Sequence, residues 1–159
     1  MAKRSKAQTE LTIQQIMDEA FRQILTIGFE TMSYSTLADA LGISRTGVSH
    51  HFPRKLDFLL RLNERIGEHF ISALDFSSNE ALQYSWEQAM TRPEQQAVLR
   101  LFFSICGRIE DEMPEFIAVE QALQQAEAAL GLAGRELVQE LLGASALQLS
   151  SGNSLAKAA

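Results

Sequence analysis

Ala38, Gly42 and Val48 stand four and six residues apart, flanked by Leu37, Leu41 and Ile43, and few packings accept that pattern. Two short helices that cross at a steep angle need a small residue where they touch and a glycine in the tight turn. They also need apolar side chains to lock the second helix onto the first. The spacing predicts a helix from near Ser33 to Leu41, a turn at Gly42, and a second short helix capped by Ser44 and ending about His51. In a helix-turn-helix unit of this kind the second helix projects its N-terminal side chains into the DNA major groove, here led by Arg45 and Thr46. An ordinary helical hairpin shares the same small and apolar positions, so the pattern by itself leaves both readings open.

The rest of the chain carries helical periodicity and no β alternation, which makes the expected fold class all-α. Ile13, Ile16, Met17, Ala20, Phe21, Ile24 and Leu25 share one helix face, with Thr9 as the predicted N-cap and Gly28 as the stop. Pro53 closes the recognition helix and opens a long one whose Leu56, Leu59, Leu60, Ile66, Phe70, Ile71 and Leu74 are expected to face inward. Further helices are predicted at about Glu80–Thr91, from Pro93 through a stripe ending at Cys106 and Ile109, at Pro114–Leu130, and at Leu132–Ser150 after a break at "GLAGR". Four segments result: a basic arm at 1–8, a helix-turn-helix domain at 9–54, a helical domain at 55–150 and a flexible tail at 151–159.

A net charge of -6 argues at first sight against a nucleic-acid partner. The charge is unevenly spread. Up to Ile66 the bases, among them Lys3, Arg4, Lys6, Arg45, Arg54 and Lys55, slightly outnumber the acids. Beyond it only Arg92, Arg100, Arg108, Arg135 and Lys157 stand among a long series of Glu and Asp. A mildly basic head on an acidic body leaves the head free to approach a polyanion. The run Glu110, Asp111, Glu112 is expected at a solvated corner. No stretch of about 18 apolar residues occurs, so a cytoplasmic protein with no membrane partner is expected. Cys106 is alone and set in "FFSICGRI", where a buried structural thiol is expected.

Chemistry other than binding finds little support. His50 and His51 are neighbours, so on a helix they diverge by about 100° and do not form the same-face pair that metals favour. His69 lies too far along to complete a site. No nucleophile elbow, phosphate-binding glycine loop or paired metal-ligand spacing occurs; no enzyme activity, cofactor or metal is expected. His51 and Phe52 are expected to pack the junction behind the recognition helix, with His50 near the phosphates.

The stretch "TLADALGISRTGVSHHFPRKLDFL" resembles the DNA-binding domain of TetR-family transcriptional regulators, in which Leu-Ala, Gly-Ile-Ser and His-Phe-Pro-x-Lys follow in this order. The leading amphipathic helix ending in Gly28-Phe29 is similar to that family's first helix, and the resemblance covers about residues 9–62. It implies that Ser44, Arg45 and Thr46 lie at the groove, with Arg45 placed for a bidentate guanine contact, and that Lys55 meets a phosphate. Ser33, Ser35 and Thr36 would offer hydroxyls or backbone amides to the DNA backbone. Two departures stand out. Ser49 occupies the place of the family's usual tyrosine, a phosphate contact, and Gly47 inside the recognition helix is roughly 1 kcal/mol less favourable than alanine.

The resemblance further implies a homodimer on a palindromic operator, since one helix-turn-helix reads too few base pairs alone. Phe116, Val119, Leu123, Leu137, Val138, Leu141 and Leu142 are the candidates for a dimer interface built from the last two helices. Phe70, Leu74, Tyr84, Trp86, Met90, Phe102, Phe103 and Cys106 are the candidates for a pocket that takes a small apolar effector and releases a repressor from DNA. Two alternatives stand beside that reading: a DNA-bound protein-interaction platform without an effector, and a helical interaction module that does not touch DNA.

Overall fold

The computed structural model describes residues 6–106 and 115–156, with side chains through residue 151. Its elements are α1 (Lys6–Thr26), α2 (Tyr34–Leu41), α3 (Arg45–His51), α4 (Leu56–Ile71), α5 (Asn79–Ala89), α6 (Pro93–Cys106) and α7 (Ile117–Ala156), and there is no strand among the described residues. The chain divides into two compact units, the first ending at Leu62 and the second starting at Asn63. That division falls inside α4 rather than at the 54/55 boundary expected from the sequence. The first turns of α4 belong with the helix-turn-helix because Phe58 stacks on Phe52 at 4.4 Å between ring centroids, and both rings are fully buried.

In the first unit Ile16, Ala20, Ile24, Leu37, Ala38, Val48 and Phe52 form the apolar core, as the periodicity predicts. A buried polar group joins them. Gln23 is 3 % exposed; its amide nitrogen donates to the Thr36 carbonyl at 3.0 Å and to Glu19 Oε1 at 2.7 Å. Its amide oxygen accepts from the Thr36 hydroxyl at 2.7 Å. These bonds tie α1 to the first turn of α2. Gly28 ends the α1 segment, its N–H donating to Gln23 O. The other end departs from expectation: α1 is already helical at Lys6, so Thr9 is not its N-cap and residues 6–8 are helix rather than arm. Lys3 and Arg4 lie outside the described residues.

The inward stripe of α4 also differs from the predicted one. Phe58, Leu59, Leu62, Ile66 and Phe70 are buried while Leu60 is 45 % exposed, because the buried positions follow steps of three and four from Phe58. Leu74 falls beyond α4 and is half-buried. In the second unit Trp86 fills the centre, edge-on to Phe70 at 5.3 Å between centroids, and its indole N–H donates to Ser145 Oγ at 3.0 Å. Asn63 is a second buried amide. It donates to the Glu115 carbonyl at 2.6 Å and accepts the Ile117 N–H at 3.2 Å, so it anchors the start of α7.

α7 is two helical arms. Gly131 has φ 73 and ψ -163, a left-handed φ that L side chains rarely adopt, and it breaks the helix where "GLAGR" predicts an interruption. The arms fold back on each other: a Cβ on Gly134 would lie 2.7 Å from the Ala126 carbonyl oxygen, and Arg135 donates to Glu127 at 2.9 Å. The second arm runs through Ala156, so the tail expected to be flexible from residue 151 is helical as far as that residue. Pro114, Ile109 and the acidic run Glu110, Asp111, Glu112 lie outside the described residues.

Replacing Gln23 with Ala removes the buried ties between α1 and Thr36, whose hydroxyl keeps its bonds to Ser33, and a loss of about 1–3 kcal/mol is expected in urea unfolding. Tyr34→Phe is the contrast. The Tyr34 hydroxyl is buried with no hydrogen-bond partner, so its removal is expected to leave stability unchanged or raised in the same assay.

Candidate nucleic-acid interface

α2 enters through a reciprocal cap. Ser33 Oγ accepts the Thr36 N–H at 3.1 Å, and the Ser33 N–H donates to Thr36 Oγ1 at 2.9 Å. Both predicted hydroxyls are therefore engaged inside the protein. Ser35 remains exposed in the first turn of α2, and the positive end of the helix remains available to an anion.

The turn between the helices closes at Gly42, whose φ of 65 lets its N–H return to Ala38 O. Ile43 N–H joins the same carbonyl at 3.1 Å. Ser44 then caps α3, its hydroxyl oxygen accepting the Gly47 N–H at 3.0 Å. A Cβ on residue 47 would sit 3.2 Å from that same Ser44 Oγ. The glycine that weakens helix propensity thus leaves room for the cap, and α3 is helical over Arg45–His51.

Val48 is fully buried and fixes the rotation of α3. Counting 100° per residue from Val48 turns Thr46 and His50 to the opposite side, with Arg45 and Ser49 on the flanks. Arg45, Thr46 and His50 are exposed and Ser49 is half-buried, its hydroxyl donating to Thr46 O at 3.3 Å. His50 and His51 rings meet edge to face at 5.2 Å. Phe52 packs the junction behind them, as expected from the sequence, and carries Arg61 over its ring at 4.9 Å.

Lys55 is half-buried. Its ammonium donates to the Glu30 carbonyl at 3.1 Å and lies 4.6 Å from the centre of the Phe29 ring. Arg54 is held by Asp57, which accepts the Arg54 N–H at 2.9 Å and its guanidinium at 3.0 Å. These bonds keep the Asp57 carboxyl below the usual carboxylate range. Ser35, Arg45, Thr46 and His50 are thus exposed, while Ser33, Thr36, Ser44, Arg54 and Lys55 are engaged within the protein.

The family of bacterial regulatory proteins, tetR family, matches residues 16–62, and the tetracycline repressor LuxT C-terminal domain matches residues 63–149, more than half of the 159. The chain belongs to the TetR family. Two relatives named "Probable acrEF/envCD operon repressor", from Escherichia coli strain K12 and Escherichia coli O157:H7, are each 28 % identical over 124 residues. The match takes in 71 % of this chain and 56 % of theirs, so it spans little more than half the length of these relatives.

The eight residues expected from the sequence to line an effector pocket in this TetR-family chain differ widely in exposure. Phe70, Trp86 and Met90 are core. Tyr84 is 65 % exposed because it lies two residues from both Leu82 and Trp86, on the outer face of α5. Cys106 is exposed, not buried, at the end of α6; desolvation by its neighbours still pushes the thiol pKa up, which does not favour a nucleophilic thiolate. Phe102 and Phe103 are half-buried, and Phe102 packs on Phe116 at 5.6 Å between centroids.

The residues predicted for a dimer interface also separate. Val119, Val138 and Leu141 are buried in the second unit, while Phe116, Leu123, Leu137 and Leu142 are half-buried. Exposed Leu132 and Leu147 on α7 were not expected from the sequence. His69 is no ligand in waiting: Gln95, buried at 3 % exposure, donates to its carbonyl at 3.1 Å and approaches its Nε2 at 3.3 Å. Among the described residues no group of three His, Cys, Asp or Glu is placed to hold a metal, and no helix is long and apolar enough to cross a membrane.

Gln23, Asp57 and Asn63 are the functional supports the sequence reading missed. Gln23 and Asn63 carried a signal, since each polar side chain falls in phase with a buried apolar stripe. Asp57 titrates in a testable direction. Its folded pKa is lowered, so its contribution to stability is present above the unfolded value of about 3.9 and is lost as pH falls through the lower folded value. Asp57→Asn is expected to melt below the wild type at neutral pH, and the gap should close in thermal scans as pH falls below the lowered folded value.

Proposed function

We propose that this chain is a sequence-specific DNA-binding transcriptional repressor that acts as a homodimer on a two-fold symmetric operator and is released by a small effector. The observation that carries the reading is the exposed face of α3, where Thr46 and His50 lie opposite the buried Val48 and Arg45 is exposed on the flank. Membership of the TetR family and the operator-repressor names of the relatives support it.

In this reading Arg45 reads a base edge, Thr46 and His50 lie against the groove wall, and the first turn of α2 meets a phosphate through Ser35 and the helix terminus. Lys55 acts chiefly as a positioning residue that holds the loop at Glu30 and lends its charge to the phosphates. Half-buried Leu137 and Leu142, with exposed Leu132 and Leu147, supply apolar surface for a second copy. The acidic second unit discourages non-specific phosphate binding while the basic head approaches.

Selection from randomised duplex DNA at near-physiological salt is expected to enrich a two-fold symmetric motif. On that motif Arg45→Ala should weaken binding by about 1–3 kcal/mol and relax one position in each half-site. Lys55→Ala should weaken all sequences alike. Failure to enrich any motif, with binding that only fades as salt rises, overturns the reading in favour of generic phosphate attraction.

A further inference from the structure

Gln95, in the first turn of α6, is a polar side chain at 3 % exposure, and only half of its amide is engaged. The nitrogen donates to the His69 carbonyl at 3.1 Å and stands 3.3 Å from the ring atom His69 Nε2. The oxygen, Oε1, is buried with no hydrogen-bond partner. Chemistry sets this orientation: a backbone carbonyl only accepts, so the amide nitrogen must face it. The ring is fixed as a consequence. With an NH2 group against Nε2, the neutral imidazole accepts there and carries its proton on Nδ1.

A second proton on His69 goes to Nε2 and points at the Gln95 NH2, donor against donor. Turning the amide relieves the clash and brings Oε1 to the Nε2–H as its first partner. The NH2 group then leaves the His69 carbonyl, which still accepts the Ser72 hydroxyl at 2.9 Å. One polar group gains a bond and none of the acceptors around it is stranded.

The charges around the ring set when this happens. Glu94 on α6 favours the imidazolium, as does the negative end of α4, in whose last turn His69 stands. On α4 itself Arg65 and Glu68 are exposed and opposite in sign, and Arg92 is exposed ahead of α6. Burial outweighs the attraction of Glu94 and holds the His69 pKa below the usual imidazole value. Neutral His69 is therefore the resting state at neutral pH.

We propose that His69 and Gln95 form an acid-sensitive switch between α4 and α6, in which protonation at Nε2 turns the Gln95 amide off the α4 carbonyl and onto the ring. The switch draws on no residue of the DNA-binding face and stands apart from the proposed function.

Imidazole NMR on the full chain labelled with 15N tests it, with His69→Gln identifying the His69 signals. Neutral His69 is expected to carry its proton on Nδ1 and to titrate below the ordinary value of about 6.5. Nuclear Overhauser contacts from the Gln95 amide protons to the ring should be present above that midpoint and lost below it. Gln95→Glu sets an acceptor against Nε2 and should move the midpoint upward. In thermal scans the wild type should fall relative to His69→Gln as pH drops from about 6.5 towards the folded midpoint, because charging the ring opposes the fold; His50 and His51 titrate in both chains and cancel. A neutral ring protonated on Nε2, a midpoint at or above the ordinary value, amide contacts that persist in acid, or a stability gap that does not widen overturns the proposal. The tautomer and midpoint are read on the wild type, so they decide the matter even where a variant fails to fold.

Discussion

The buried amide of Gln23 is the constraint on which the first unit turns. An unpaired amide in an apolar core is unfavourable by about 1–3 kcal/mol, so Gln23 holds its place only while Thr36 supplies both an acceptor and a donor. That requirement sets the first turn of α2 against α1. Ser33 and Thr36 then close a cap that is already aligned, and the left-handed Gly42 aims the chain into α3. The side chains that face outward from α3 are thus oriented by a hydrogen-bond network on the far side of the helix pair.

The second unit is organised around the Trp86 indole. Its N–H finds Ser145 and its ring meets the edge of Phe70, which joins α4, α5 and the second arm of α7 without leaving a polar atom of Trp86 stranded. Asn63 plays the part there that Gln23 plays in the first unit, using one amide to fix where α7 begins.

Much of the helix-turn-helix was legible. Small residues at the crossing, a glycine at the turn and a hydroxyl before each short helix mark two short helices joined by a tight turn, and the structure follows that plan from Ser33 to Phe52. The long helices were legible as helices and less so as surfaces. Leu60 and Phe58 could not be ranked from periodicity because both lie near the edge of the apolar stripe, where a few tens of degrees decide burial. Tyr84 and Cys106 were expected inside on composition, yet both are exposed. The expected tail failed for a related reason: small polar residues are compatible with helix when a preceding arm nucleates it.

What the sequence determined alone was local: which segments are helical, where glycine and serine end and begin them, that the head is basic and the body acidic, and the resemblance that suggested a family. These follow from neighbours within about four residues, the range over which helix geometry and capping act. Tertiary structure decided which polar residues serve as buried ties, which aromatic rings are core and which are exposed, and which side of α3 faces outward. Those outcomes depend on contacts between residues such as Gln23 and Thr36 or Trp86 and Ser145, whose separation along the chain hides them until packing brings them together.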